Sequence, residues 1–232
     1  MNVMAALAAQ QRRAHLLPRV LASLRPQVDR LAVYLNGWTS VPACVEQLAD
    51  SFVLSPENLG AEKKFHWADT WDGYYCTVDD DIVYPADYVQ RMTGAVRRLG
   101  GRVLATAHGR VFLGRPSSVH NVTGAIGHYS RAVSVGRLVN HGGTGVMAWD
   151  AGKLKLPTSF PQVNLADMQL AIWAQQNSVP MWLVAHEAHW LTSLAPHDPD
   201  GIYESSRLER HARRNSLLRG YGFRNHWQVF DV

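Results

Sequence analysis

The sequence predicts an α/β protein with a central, mostly parallel β-sheet flanked by helices. Three observations support that fold class: apolar runs of strand length, amphipathic helical segments that alternate with them, and one apolar run that stops at three consecutive aspartates. Alternation of strands and helices is typical of parallel sheets, because a helix between two parallel strands carries the chain back across the sheet. In such sheets, ligands bind beyond the carboxyl ends of the strands.

Four strands and four helices are predicted in the first hundred residues. The strands correspond to the apolar runs 3–8, 31–35, 51–54 and 74–78. The helices correspond to the segments 12–24, 41–49, 57–67 and 88–99. In the first helix the apolar residues share one face, as in an amphipathic helix packed on a sheet: Leu16, Leu17, Val20, Leu21 and Leu24.

The alternating pattern becomes weaker in the second half of the chain. Further strands are predicted at 102–107, 146–149 and 180–185, and a further helix at 164–176. Between residues 108 and 141 glycine, serine, histidine and asparagine interrupt the pattern, as expected for loops and short antiparallel strands rather than for a second domain. We therefore expect a single domain with a short antiparallel region.

Composition excludes several classes of protein. The chain has 232 residues, of which 47% are hydrophobic and 18% charged, so it can bury the core of an ordinary globular domain. Cys44 and Cys76 lie far apart, which indicates neither a disulfide framework nor a cysteine metal site. No run approaches the roughly 20 apolar residues of a spanning helix, and the apolar start lacks the basic region of a signal peptide. We expect a cytoplasmic protein.

The aspartates Asp79, Asp80 and Asp81 directly follow the predicted strand 74–78. Three adjacent carboxylates repel one another, and a cation nearby would offset that repulsion. Hard divalent ions such as Mg²⁺ and Mn²⁺ take carboxylate and phosphate oxygens as ligands. The run therefore indicates a metal-bound phosphate ligand, and the simpler alternative is an exposed acidic turn.

The segments around this run resemble a known enzyme family. Residues 58–65 and residues 73–89, in which Tyr84-Pro85 and Asp87-Tyr88 follow the aspartates, are similar to small bacterial glycosyltransferases of the GT-A fold, close to family 2. The resemblance covers residues 1–99 well and the remainder in outline. It implies a nucleotide-sugar-binding half at 1–107, an acceptor-side half at 108–206 and a basic C-terminal segment at 207–232.

The resemblance also implies a donor site. Asp79 to Asp81 stand at the family's DXD position, where Asp79 and Asp80 would bind the donor and Asp81 would ligate Mn²⁺ or Mg²⁺. The donor would be a nucleotide diphosphate sugar, with a UDP-sugar favoured. The ends of the first two strands would hold its nucleoside through Ala9, Gln10, Arg12 and Asn36. Family 2 members often carry an aspartate or glutamate near Asn36, so the nucleotide base stays open.

Two more residues join the predicted donor site. Lys64 lies where the family places a lysine near the donor. Gly143 belongs to the turn 141–145, and such a turn often borders donor and acceptor in GT-A enzymes. An ordinary hairpin turn is the alternative for Gly143, and an exposed charge at a helix start is the alternative for Arg12.

Candidates on the acceptor side come from the second half. Asp167 stands near the start of the predicted helix 164–176, where inverting GT-A enzymes carry their general base, although a carboxylate there can also cap a helix. His186 and His189 are candidate metal ligands, because a late histidine completes the metal shell in several GT-A families. Their spacing of three differs from the zinc-protease motif. His108 is a further cleft candidate.

We therefore predict a metal-dependent glycosyltransferase that moves a sugar to a hydroxyl of a glycan or lipid-linked acceptor in bacterial surface polysaccharide synthesis. The alternatives are a nucleotidyltransferase or phosphohydrolase with the same carboxylates, and a non-catalytic glycan-binding module. The formal net charge of +4 suits anionic partners. The basic C-terminal segment lacks a nucleic-acid motif and is better suited to peripheral contact with an anionic membrane, with a plain surface helix as the alternative.

Overall fold

The computed structural model describes residues 2–116, 127–196 and 207–231. The strands are β1 (Val3–Gln10), β2 (Arg30–Asn36), β3 (Ser51–Ser55), β4 (Tyr74–Val78), β5 (Ile82–Val83), β6 (Leu104–Thr106), β7 (Gly109–Arg110), β8 (Arg137–Val139), β9 (His141–Gly142), β10 (Val146–Asp150), β11 (Met181–Leu183) and β12 (Thr192–Ser193). The helices are α1 (Leu17–Leu24), α2 (Ala43–Leu48), α3 (Tyr88–Arg98), α4 (Ala166–Gln176) and α5 (Arg207–Arg224).

Among the described residues, the main sheet has the order β3-β2-β1-β4-β10-β6-β11-β8. β1 pairs in parallel with β2 and β4, β2 with β3, and β6 with β11. β10 runs antiparallel between β4 and β6, and β8 runs antiparallel at the edge. The predicted mostly parallel sheet is therefore confirmed.

Each face of the sheet is covered by its own hydrophobic core. α1 and α3 cover one face with buried side chains that include Leu17, Leu21, Leu24, Met92 and Val96. α4 and α5 cover the other face with Met168, Leu170 and Leu218, in a core that also contains the rings of Tyr75 from β4 and Trp149 from β10. Because both faces are covered, β1 is apolar along almost its whole length instead of alternating with polar residues.

Two predicted helices are shorter than expected. The prediction of a helix at 57–67 is wrong, because only Ala61–Phe65 are helical. They form a 3-10 helix after Gly60, whose φ is 90°. The helix predicted at 12–24 begins at Leu17 as an α-helix, with Pro18 in its first turn. Proline is favoured there because its missing N–H is not needed at a helix start. Residues Gln11–Arg13 before it form a separate 3-10 turn.

The carboxyl ends of β1, β4, β6 and β11 meet at one edge of the sheet, as their parallel pairing requires. The turn that leads into β10 reaches the same edge, because β10 is antiparallel to β4 and begins opposite Val78. The segment after Asp81 is held there by the short pairing of β5 with β12. Most candidate site residues lie at this carboxyl end of the parallel strands.

No helix within the described residues is both long and apolar enough to cross a membrane.

Candidate active site

The three aspartates at the end of β4 pair with two cations and differ in their exposure to solvent. Asp80 is buried and accepts hydrogen bonds from the Gln10 backbone N–H at 2.8 Å and from Arg13 Nη1 at 2.7 Å. Asp81 lies 2.9 Å from the same Arg13 nitrogen, and Asp79 pairs with Lys64. The exposed side-chain fraction is 40% for Asp79 and 18% for Asp81, against 6% for Asp80. Asp80 therefore ties β4 to β1, while Asp79 and Asp81 remain accessible to a ligand.

Arg13 is the residue that sequence reasoning missed. It follows β1 in the turn Gln11–Arg13, and its guanidinium bridges Asp80 and Asp81. The predicted Arg12 is exposed, and its Nε donates to Gln10 Oε1 at 2.7 Å. Successive residues of a 3-10 turn point about 120° apart, so the turn decides which arginine faces the carboxylates. Only their adjacency in the sequence could have suggested Arg13.

Burial disfavours the charged form of the carboxyl groups at the end of β4. It raises the pKa of Asp81 to about 7, with a further rise from the charge of Asp79 and an opposing effect of Arg13. Burial also raises the pKa of Asp80, against the lowering effect of Arg13. Two cations, Arg13 and Lys64, thus face three carboxylates. The remaining negative charge fits a divalent cation.

The donor atoms available also suit such an ion. Asp79 and Asp81 offer the oxygen ligands that Mg²⁺ and Mn²⁺ prefer. Among the described residues, no group of three or more histidine, cysteine, aspartate or glutamate side chains is arranged to hold a metal. Mg²⁺ is commonly held in proteins by one or two carboxylates when phosphate oxygens complete its shell, and Asp79 and Asp81 could serve as such carboxylates.

Lys64 lies inside the site as a buried cation. The 3-10 helix Ala61–Phe65 packs on β1 and β4 and directs the Lys64 ammonium at Asp79. Burial by itself would lower the pKa of Lys64, but the charges of Asp79, Asp167 and Asp80 outweigh it, and the pKa is raised. The lysine is therefore charged, and its charge interacts with both the acidic strand end and Asp167.

Tyr84 joins the acidic strand end to the glycine turn before β10. Its hydroxyl accepts the Asp79 backbone N–H at 2.8 Å and donates to the Gly145 carbonyl at 2.8 Å. The Gly145 position has no room for a side chain, since a Cβ there would lie 1.8 Å from Asp79 Oδ2. The predicted Gly143 lies next to His108, whose Cβ would be 3.1 Å from a Cβ at this glycine. Glycine at these two positions therefore allows the turn to pack closely on Asp79 and His108.

Asp167 lies in the first turn of α4 and is bound to the same glycine turn. Its Oδ1 accepts hydrogen bonds from the Thr144 backbone N–H at 2.9 Å and from Thr144 Oγ1 at 2.7 Å. Burial would raise the pKa of Asp167, but His141, Arg214 and both Thr144 hydrogen bonds hold it well below its usual range. The structure thus brings Asp167 to the glycine turn as a carboxylate rather than as a cap of α4.

The three predicted histidines lie in different surroundings. His186 is buried, with Nε2 3.1 Å from the Ala107 carbonyl and Nδ1 3.1 Å from the Glu187 carbonyl. His189 is exposed. His108 follows β6 and packs edge to face on His128 at 4.9 Å. Burial and the nearby charges of His128 and Arg110 lower the pKa of His108 to about 3, so its ring stays neutral at pH 7.

The predicted nucleoside residues lie at the ends of β1 and β2. Ala9 is buried, and its carbonyl accepts the Trp38 Nε1–H at 2.8 Å. The Gln10 side chain accepts from Arg12. The Asn36 amide donates to Asn58 Oδ1 at 2.8 Å and to the Gly60 carbonyl at 3.0 Å, and its oxygen accepts the Leu59 N–H at 2.7 Å. In this structure Asn36 therefore shapes the 58–60 turn.

Comparison with known proteins shows similarity at the level of structure. No protein-family model and no curated protein sequence matches the chain. The crystal structure of residues 1–349 of S. aureus TarS, a GT-A glycosyltransferase, is similar with a TM-score of 0.52 and 12% identity, over 95% of this chain and 70% of that one. A crystal structure of a longer S. aureus TarS chain is similar with a TM-score of 0.51 and 10% identity, over 95% of this chain and 43% of that one.

A further similar structure is that of 4-diphosphocytidyl-2C-methyl-D-erythritol synthase, with a TM-score of 0.46 and 11% identity over 94% of this chain and 98% of that one. At identities this low, similarity to solved structures shows the fold alone. The chain has a GT-A-like α/β fold, as predicted.

We predict that Tyr84→Phe lowers the free energy of unfolding by about 1–3 kcal/mol, because it leaves the partly buried Asp79 N–H and the buried Gly145 carbonyl without their partner. Tyr88→Phe is the matched control, since the two rings pack 4.6 Å apart and the Tyr88 hydroxyl is buried without a hydrogen-bond partner among the described residues. Urea unfolding of both variants measures the difference. Equal stability of the two variants would contradict this account of Tyr84.

Proposed function

We propose that this protein is a glycosyltransferase that moves a sugar from a nucleotide diphosphate donor to a hydroxyl of a glycan or lipid-linked acceptor. One observation carries the proposal: a GT-A-like sheet presents Asp79 and Asp81 at the carboxyl ends of its parallel strands, beside the cations Lys64 and Arg13. The fold by itself does not decide the reaction. Accessible carboxylates with an unbalanced negative charge favour a metal-bound diphosphate as the ligand.

On the donor side, Asp81 would hold Mn²⁺ or Mg²⁺, and Asp79 would contact the ribose side of the donor. When bound, the divalent ion supplies positive charge that stabilises the departing diphosphate. Lys64 adds a fixed positive charge beside Asp79, preorganised by burial so that it need not reorient during the reaction. Arg13 keeps Asp80 and Asp81 in place. A UDP-sugar is the donor that we favour.

On the acceptor side, Asp167 would serve as the general base. It would take the proton of the acceptor hydroxyl while the acceptor oxygen forms a bond to the anomeric carbon and the nucleoside diphosphate leaves with the electrons of the broken bond. Both Thr144 hydrogen bonds engage Oδ1, so we assign proton transfer to Oδ2. Its lowered pKa keeps Asp167 ionised, in the form that accepts a proton.

Peripheral membrane contact remains part of the proposal for a lipid-linked acceptor. α5 carries the exposed Arg219, which would suit anionic headgroups. Arg214 of the same helix is buried near His141 and is not available for such contact.

Binding of UDP together with Mn²⁺ should raise the melting temperature of the protein, because ligands selective for the native state stabilise it. Asp81→Asn should abolish the Mn²⁺-dependent part of this increase, whereas the exposed Asp69→Asn should not. Product analysis completes the test: UDP released together with a glycosylated acceptor supports the proposal. Pyrophosphate release would instead identify a nucleotidyltransferase, and chelator-insensitive glycan binding without turnover would identify a binding module.

Arg13→Gln should weaken UDP binding in the presence of Mn²⁺ by about tenfold or more, since a charge-assisted hydrogen bond to a partly buried carboxylate contributes about 1.5–3 kcal/mol. Arg12→Gln is the matched neighbour and should bind within about threefold of the wild type, because Arg12 is exposed and points to Gln10. Isothermal titration calorimetry compares the two. A larger loss for Arg12→Gln would reverse the assignment.

Asp167→Asn should lower kcat by about 10²–10⁴-fold, which is the usual contribution of a general base. The amide oxygen that this substitution introduces can still accept from Thr144, so the KM for the donor should change little. Steady-state kinetics with varied UDP-sugar measure both constants. Full activity of this variant would remove Asp167 from catalysis.

A further inference from the structure

Two loops from distant parts of the chain are hydrogen-bonded to each other in both directions beside the candidate site. Glu62 Oε1 accepts the Leu165 backbone N–H at 2.8 Å. In return, Asn164 Oδ1 accepts the Ala61 backbone N–H at 3.0 Å. We name residues 60–62 and 163–165, with these two hydrogen bonds, the clasp. It joins the loop before Lys64 to the residues that begin α4 before Asp167.

The backbone conformation at two clasp positions is special. Gly60 has a φ of 90°, and a Cβ there would lie 2.3 Å from Glu62 Oε2 and 2.5 Å from Val163 Cγ1. Asn164 has a φ of 61°, in the left-handed region that asparagine tolerates better than most residues. A side chain at position 60 would strain the left-handed backbone and displace the side chains of Glu62 and Val163. Glycine at this position therefore favours the close approach of the two loops.

Glu62 is an unusual residue for a structural hydrogen bond. Its side chain is buried, and Oε2 has no hydrogen-bond partner among the described residues. Burial raises the pKa of Glu62, and so does the charge of Asp167, whereas Lys64 opposes the rise. The hydrogen bond from Glu62 serves the start of α4. The Leu165 N–H lies at this helix start, where backbone donors lack partners within the helix.

The clasp is anchored on the donor side by β2. The Asn36 amide donates to the Gly60 carbonyl at 3.0 Å, and Asn58 Oδ1 accepts the Gly60 N–H at 3.1 Å. A continuous set of hydrogen bonds thus runs from the carboxyl end of β2 through the 58–60 turn and the clasp to the start of α4. Lys64 and Asp167 lie just beyond the two halves of the clasp.

We propose that Glu62 and Asn164 are positioning residues that set the separation between the donor-side Lys64 and the acceptor-side Asp167. The inference rests on the proposed function and extends it to residues that touch neither substrate. A base must lie within hydrogen-bond reach of the proton that it removes, and a misplacement of about 1 Å can cost about 10²-fold in rate. A buried clasp between the two loops supplies this accuracy.

The test compares Glu62→Ala and Asn164→Gly with the wild type. Asn164→Gly removes the side-chain acceptor but keeps a residue that adopts positive φ. In each variant, hydrogen exchange of the amide freed from its acceptor, Leu165 or Ala61, should become at least about tenfold faster. The Kd for UDP with Mn²⁺ should stay within about threefold, and the turnover of UDP-sugar at saturating donor should fall at least about tenfold.

Two controls separate positioning from general destabilisation. Glu62→Gln keeps an oxygen that can accept the Leu165 N–H and should restore most of the turnover that Glu62→Ala loses. Asn177→Gly makes the same type of change at the other end of α4, where the Asn177 amide bonds to the Trp173 carbonyl, and should leave turnover unchanged.

Wild-type exchange and turnover in both clasp variants would overturn the inference. So would a loss of UDP binding as large as the loss of turnover, because the variants would then act on the donor site. If the wild-type protein releases no nucleoside diphosphate from any nucleotide sugar, the proposed function fails, and the exchange rates at Ala61 and Leu165 alone decide whether the clasp holds the loops together.

Discussion

Neutralisation of the aspartates at the end of β4 is the constraint on which the rest of the site depends. A buried strand that ends in three carboxylates is stable only if cations on neighbouring elements face them. Arg13 comes from the turn after β1, and Lys64 comes from the 3-10 helix that packs on β1 and β4. Each cation thus holds its own element against β4. The more exposed carboxylates, Asp79 and Asp81, face solvent with negative charge that the two cations do not balance.

The proposed acceptor side contains a second carboxylate, Asp167, in a different electrostatic environment. Asp167 is bound by Thr144 and lies near His141 and Arg214, and these contacts outweigh its burial and lower its pKa. At Asp81 burial and the charge of Asp79 outweigh the effect of Arg13, and the pKa is raised. Arg214 belongs to α5, which places part of the basic C-terminal segment inside the fold. The pKa values of these two carboxylates are moved in opposite directions, so the two parts of the site differ in their electrostatic environment.

Connections between the two sides make the site a single unit. Tyr84 links the Asp79 backbone to the glycine turn, and the clasp links the loop of Lys64 to the start of α4. Neither connection is local in the sequence, since Tyr84 and Gly145 are 61 residues apart and Glu62 and Leu165 are 103 apart. The structural similarity to TarS extends to the arrangement of strands and helices, and by itself it does not decide the reaction.

The sequence by itself determined the fold class, most of the main strands and the place of the acidic residues, because these depend on local hydrophobic period and on residues adjacent to a buried run. Only the tertiary structure decided which of two adjacent arginines meets Asp80, that Asn36 shapes the 58–60 turn, that residues 57–67 are mostly not helical, and that Glu62 reaches Leu165. The physical reason is that side-chain direction in short turns, and hydrogen bonds between distant loops, are set by how the elements pack. The hydrophobic pattern of one sequence segment does not specify how that segment packs against distant segments.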